Sequence, residues 1–161
     1  MFTIKAGYND NFEINTPVAK VREFFADIRN FVELMPNVES INMSGNNTAR
    51  WTIRAEIPFI GAMTQSFNVE LAENTEERIE WIPKNGETEN FLRYAADFIT
   101  KGAGKTLVQF SQMVELRRNK AKDFHFLAGL AGENRISQGM QAEVAGMLKK
   151  FVERTKEKLE R

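Results

Sequence analysis

At 161 residues and 42% hydrophobic composition, the chain is long enough for a sizeable core with an internal cavity and too apolar for disorder. Its 22 basic and 22 acidic residues cancel, which removes any whole-chain electrostatic footprint for nucleic acid. The lack of cysteine excludes disulfides, thiolate metal sites and a cysteine nucleophile.

The N-terminus, Met1-Phe2-Thr3-Ile4-Lys5, has no basic region leading into an apolar run, and no later stretch is apolar enough to span a bilayer. A cytoplasmic protein is expected. A first strand runs from near Phe2 to Asn15, ending in the alternation of Phe12 and Ile14 with Glu13 and Asn15. Thr16-Pro17 reads as an N-cap followed by proline in the first helical position. Val18, Val21, Phe25 and Ile28 give that short helix its apolar side. A second short turn carries Phe31, Leu34 and Met35 and stops at Pro36. No other helical patch is expected before the C-terminal one.

The sheet comes next. Ile41 and Met43 end a short strand before the turn Ser44-Gly45-Asn46-Asn47. Ala49, Trp51, Ile53, Ala55 and Ile57 then face one way, and Arg50, Thr52, Arg54 and Glu56 the other. Gln65, Phe67, Val69 and Leu71 continue the inward pattern after Gly61, followed by Ile79 and Trp81. Two longer strands carry Leu92, Tyr94, Ala96 and Phe98, then Val108, Phe110, Gln112 and Val114, joined by the hairpin Lys101 to Lys105. One apolar and one polar face per strand marks an antiparallel meander solvated on one side. From about Glu133 to Glu160, Ile136, Met140, Val144, Met147, Phe151 and Leu159 recur at helical spacing, widened by Leu148 and Val152. That is one long amphipathic helix, and helix and sheet must bury their apolar faces together.

The order of these elements resembles the helix-grip fold of the START and SRPBCC superfamily, which includes birch-pollen-allergen-like proteins and polyketide cyclases. The local likeness is sharpest at Phe12-Glu13-Ile14-Asn15-Thr16-Pro17-Val18, leading to Val21, Phe25 and Asp27, and at Met35-Pro36-Asn37-Val38-Glu39-Ser40-Ile41. With Ile57-Pro58-Phe59-Ile60-Gly61-Ala62-Met63, that second stretch is most similar to the G-subunit proteins of carbon-monoxide dehydrogenase, which often carry glycine where this chain has Asn37. The fold expected is α+β. A curved antiparallel sheet of about seven strands would carry two short helices, with a long C-terminal helix packed across it. Residues 1–161 would form a single ligand-binding domain.

Little in the sequence suggests catalysis. The only histidine, His125, lies between Phe124 and Phe126 and reads as a packed or surface residue. There is no second histidine for a metal site, no nucleophile-elbow spacing, and the glycines at 102 and 104 lack the helix a phosphate loop needs. No metal, cofactor or catalytic residue is assigned.

A pocket has more support. Trp51, Ile53, Phe67, Trp81, Leu92, Tyr94, Phe98, Phe110 and Gln112 share the inward sheet face, opposite Ile136, Gly139, Met140 and Val144 on the helix. The same residues could make a solid core. Tyr94 and Gln112 favour a cavity, because a buried phenol or amide needs a partner. Gly132, Gly139 and Gly146, seven apart, would give the helix a small face with room for a ligand. The apolar tip with Phe59, Ile60 and Met63 would guard the entrance, pack on the helix around Leu127 and Leu130, or touch a membrane or partner. The basic connector Arg117, Arg118, Lys120 and Lys122 would strengthen a membrane contact if it lay beside that tip.

The leading expectation is a binding or carrier domain for a hydrophobic small molecule: a lipid, a quinone or a polyketide-like compound. The alternatives are a cyclase or dehydratase using the same cavity, and an accessory subunit docking on a membrane or partner. No nucleic-acid partner is expected.

Overall fold

Strand β1 (Phe2–Ile14) leads into the short helices α1 (Val18–Ala26) and α2 (Arg29–Leu34) in this computed structural model, which describes residues 1–45, 47–57 and 59–161. Six strands follow: β2 (Val38–Met43), β3 (Thr48–Ile57), β4 (Gly61–Asn74), β5 (Arg78–Pro83), β6 (Asn90–Thr100) and β7 (Thr106–Arg118). Two single turns, α3 (Ala121–Phe124) and α4 (Ala128–Ala131), precede the long helix α5 (Glu133–Leu159). Those two turns correct the expectation of a single early helical patch. Each is too short to show a helical period, and Asp123 secures α3 by accepting the Lys120 backbone N–H at 3.1 Å.

The sheet has seven antiparallel strands in the order β1-β7-β6-β5-β4-β3-β2, a meander whose last strand returns to pair with the first. Its inward faces carry the expected alternation, with Trp51, Phe67, Val69, Leu92, Tyr94, Ala96, Phe98, Val108, Phe110 and Val114 all buried. The sheet curls round α5, which touches β1 along one side and β3 on the other. This is the helix-grip α+β architecture. Among the described residues no helix is long and apolar enough to cross a membrane.

Polar side chains fix where α5 lies. The backbone N–H groups of Thr3, Lys5 and Gly7 donate to Glu133 (2.5 Å), Ser137 (3.4 Å) and Gln141 (2.8 Å). Gln141 also donates back to the Gly7 carbonyl at 2.6 Å. A four-residue helical step rises about 6 Å and a two-residue strand step about 6.7 Å, so the two ladders stay matched over these turns. The exposed edge of β1 is thereby covered.

Thr16 departs from its expected role. Pro17 is the N-cap of α1, without a side-chain cap bond. The Thr16 hydroxyl instead donates to the Leu159 carbonyl at 2.7 Å, satisfying one of the carbonyls orphaned at the end of α5. The turn residue Asn46 and the tip residue Pro58 lie outside the described residues.

Candidate functional site

Most of the space under the grip is filled by rings. Phe25 of α1 and Phe31 of α2 descend onto the concave face of the sheet. Phe31 sits 5.6 Å from Trp51, 5.2 Å from Tyr94 and 5.1 Å from Phe151 of α5, centroid to centroid. Phe25 meets Phe98 at 5.5 Å and Phe110 at 6.1 Å. These are ordinary tilted and edge-on contacts of a packed aromatic core. Trp51, Tyr94, Phe98 and Phe110 therefore pack against other side chains, as Leu92 and Ile136 do within the same core. Their inward direction was legible from alternation. The rings that meet them come from α1, α2 and, at Phe151, α5, and spacing within a strand carries no information about those.

At the other end the layers do not quite close. An apolar cleft of about 40 Å³ lies between β3, β4 and the first half of α5. Of the expected ligand-binding residues, Ile53, Phe67, Met140 and Val144 line it, together with Met63 from the expected entrance. Ile57, Val114, Leu116 and Met147 complete its apolar wall, while Asn37, Arg54, Gln65 and Glu143 bring polar groups. A typical small-molecule site has several hundred Å³, so the cleft at rest holds a few waters at most. Three of its walls are methionines, the side chains best able to re-pack.

Asn37 lies in the left-handed region at φ 71°, and its carbonyl accepts the Arg54 N–H at 2.8 Å. Glycine meets such a backbone demand best and asparagine next, which accounts physically for the departure from glycine noted at this position. The expected glycine face of α5 is corrected. Gly132 lies before the helix, as its N-cap, and Gly146 is exposed with open space where a side chain would begin. Only Gly139, half-buried beside Met140, stays inside the helix and off its exposed surface.

Trp81 is buried in the core but does not line the cleft; with Ile79 it lines an open surface groove of about 520 Å³. The rim of that groove carries the Asp27–Arg29 ion pair at 2.6 Å. The hydrogen bond from Arg29 lowers the Asp27 carboxyl below its usual range.

The deep polar groups stand without partners among the described residues. Tyr94 and Gln112 are directly opposite each other on β6 and β7, and both are buried. The Tyr94 hydroxyl and both amide atoms of Gln112 lack a hydrogen-bond partner among the described residues. Burial pushes the Tyr94 phenol well above its ordinary value; the Trp81 indole beside it opposes this as the smaller effect, at a geometry short of a proper hydrogen bond. His125 accepts the Leu127 N–H at 3.1 Å and stacks on Phe126 at 4.5 Å, a local turn contact.

The entrance residues divide. Ile60 and Met63 are half-buried against the core, whereas Phe59 is 68% exposed at φ 71°, an uncommon backbone conformation for a bulky side chain. Phe126, ahead of α4, and Leu130, within it, are 78% and 86% exposed. At that exposure Leu130 is not buried by the tip, while Leu127 is half-buried. Arg135, in the first turn of α5, covers the Phe59 ring at 5.5 Å.

The sequence profile of the CoxG family, the G subunits of carbon monoxide dehydrogenase, matches residues 11–122. No curated protein matches the sequence significantly. Among solved structures, a Deinococcus radiodurans protein is 21% identical with a TM-score of 0.62, over 96% of this chain and 98% of that one. The Zhui aromatase/cyclase from Streptomyces sp. R1128 is 14% identical with a TM-score of 0.70, over 98% and 94%. A START superfamily protein from Mycobacterium smegmatis is 14% identical with a TM-score of 0.54, over 86% and 96%. At such identities these likenesses speak for the fold.

Proposed function

We propose that this chain, which belongs to the CoxG family of carbon monoxide dehydrogenase G subunits, binds and carries an apolar small molecule in the cleft between β3, β4 and α5. The observation that carries this reading is the incomplete closure of sheet and helix on a wall of Met63, Met140 and Met147. Aliphatic and aromatic burial would drive binding, at about 25 cal/mol per Å² before the costs of association. The methionines would swing aside to widen a space that is small at rest. A lipid, a quinone or a polyketide-like compound all fit this description, and the names of the aromatase/cyclase and START neighbours favour the same class of ligand. Cyclase or dehydratase chemistry would need a proton-moving group in the cleft, and Glu143 is the only carboxylate among the described lining residues.

The test is native mass spectrometry of protein purified from its own host, followed by solvent extraction. The expected result is a mass adduct that releases an apolar molecule. A bare protein that also fails to take up any added apolar probe would sink the reading.

A second reading has its own observation, the exposure of Phe59, Phe126 and Leu130, with the Arg135 guanidinium over the Phe59 ring. Apolar side chains beside cations suit the surface of an anionic membrane. Flotation with phosphatidylserine-containing vesicles at low salt is expected to carry the protein up, and absence of binding there removes this reading.

A further inference from the structure

At the rim of the cleft, three strands place polar side chains on the inward face where their apolar alternation would continue. They are Gln65 before Phe67 on β4, Asn90 before Leu92 on β6, and Arg118 after Leu116 on β7. β5 ends at Pro83, so β4 and β6 meet directly here. Asn90 Nδ2 donates to the Ser66 carbonyl at 2.8 Å and to Gln65 Oε1 at 3.1 Å. Arg118 Nη2 donates to the same Gln65 oxygen at 3.3 Å. Arg118 is itself fixed, with Nη1 on the Arg117 carbonyl at 2.7 Å and Nε on the Glu89 carboxylate at 3.2 Å; its side chain is only 11% exposed.

A guanidinium has five N–H donors and no acceptor, so the atom of Gln65 that faces Arg118 must be its carbonyl oxygen. Turning the amide over would set donor against donor, toward both Arg118 and Asn90. The orientation of Gln65 is therefore decided by its neighbours. Its –NH2 group is left over, and among the described residues it makes no hydrogen bond within the protein. Gln65 lines the cleft, which is otherwise nearly all apolar.

We propose that Gln65 Nε2 is a hydrogen-bond-donor subsite of the cleft, held in orientation by Asn90 and Arg118, and that it selects apolar molecules bearing an uncharged acceptor oxygen. A carbonyl or an ether fits that chemistry. A plain hydrocarbon would bury the amide without a partner. A carboxylate or phosphate would meet Glu143 across the cleft, while the Arg118 charge is already matched by Glu89 and the Arg54 charge by Glu56 at 3.7 Å. Gln65 is the recognising group; Asn90 and Arg118 are positioning residues. The proposal rests on the reading of the cleft as a ligand site.

The test titrates the full chain with three probes of equal length, 2-heptanone, 1-heptene and heptanoate, near neutral pH, followed by amide chemical shifts. Gln65→Glu keeps an oxygen for Asn90 and Arg118 and removes the donor; Gln65→Leu removes both and serves as companion. In the unaltered protein heptanoate is expected to bind most weakly. In both variants the ketone is expected to lose about fivefold in affinity, the worth of one hydrogen bond, while the alkene stays within about twofold. Unchanged ketone affinity in Gln65→Glu, or heptanoate binding best to the unaltered protein, overturns the subsite and leaves the cleft reading standing. Failure of both neutral probes to bind the unaltered protein overturns the two together.

Discussion

The phenol of Tyr94 and the amide of Gln112 are buried polar groups without partners among the described residues, and an unpaired polar group in a core costs free energy that the same volume of hydrocarbon does not. Tyr94→Phe is therefore expected to leave the fold intact and to raise unfolding stability by up to about 1 kcal/mol in urea titrations. A loss of about 1 kcal/mol or more would mean that the hydroxyl has a partner, a water or a ligand. The chain has two tyrosines, and both hold their protons more tightly when folded. Tyr8 is pushed up to about 12 by burial, then by its hydrogen bond to Asp10 and that residue's charge, and burial alone raises Tyr94. Above the ordinary value of 10.0 the unfolded chain releases these protons while the folded one retains them. The stability they contribute is thus complete below that pH and falls as pH climbs toward about 12. Tyrosinate absorbance is expected to appear together with the loss of circular dichroism. A smooth ionisation near 10.0 in protein that stays folded would contradict it.

Among the elements, α5 shows most clearly what spacing reveals and what it hides. Its apolar stripe from Ile136 to Phe151 was legible because 3.6-residue recurrence has few other causes. Its second contact, through Glu133, Ser137 and Gln141, was not, since polar residues four apart also describe a solvated face. Gln141→Ala is expected to cost about 1 kcal/mol and to speed amide exchange at Gly7, with exchange along β7 unchanged. Equal acceleration on both strands would mean global destabilisation instead of a lost edge contact. The polar rim of Gln65, Asn90 and Arg118 was half legible. Inward parity already assigned Gln65 to the inner face. What brings the three side chains together is the early end of β5, a property of pairing and not of any one strand.

For the whole molecule, the helix-grip order could be read from the chain, but the division of its interior could not. Solid and hollow versions have the same inward parity. The difference lies in how much ring volume α1 and α2 push onto the sheet, and Phe31, against Trp51, Tyr94 and Phe151, decides it at one end. Phe31→Ala is expected to cost about 3–5 kcal/mol and to create a cavity that takes up xenon or benzene next to Tyr94. A smaller loss without uptake would show that the neighbouring rings collapse into the gap. The ladder from Glu133, Ser137 and Gln141 to β1 also bears on how the cleft could widen. A helix latched along one strand behaves as a door jamb: it cannot swing without breaking every rung. The β3–β4 hairpin on the opposite side has no such ladder to α5 among the described residues, so it is the leaf of the door.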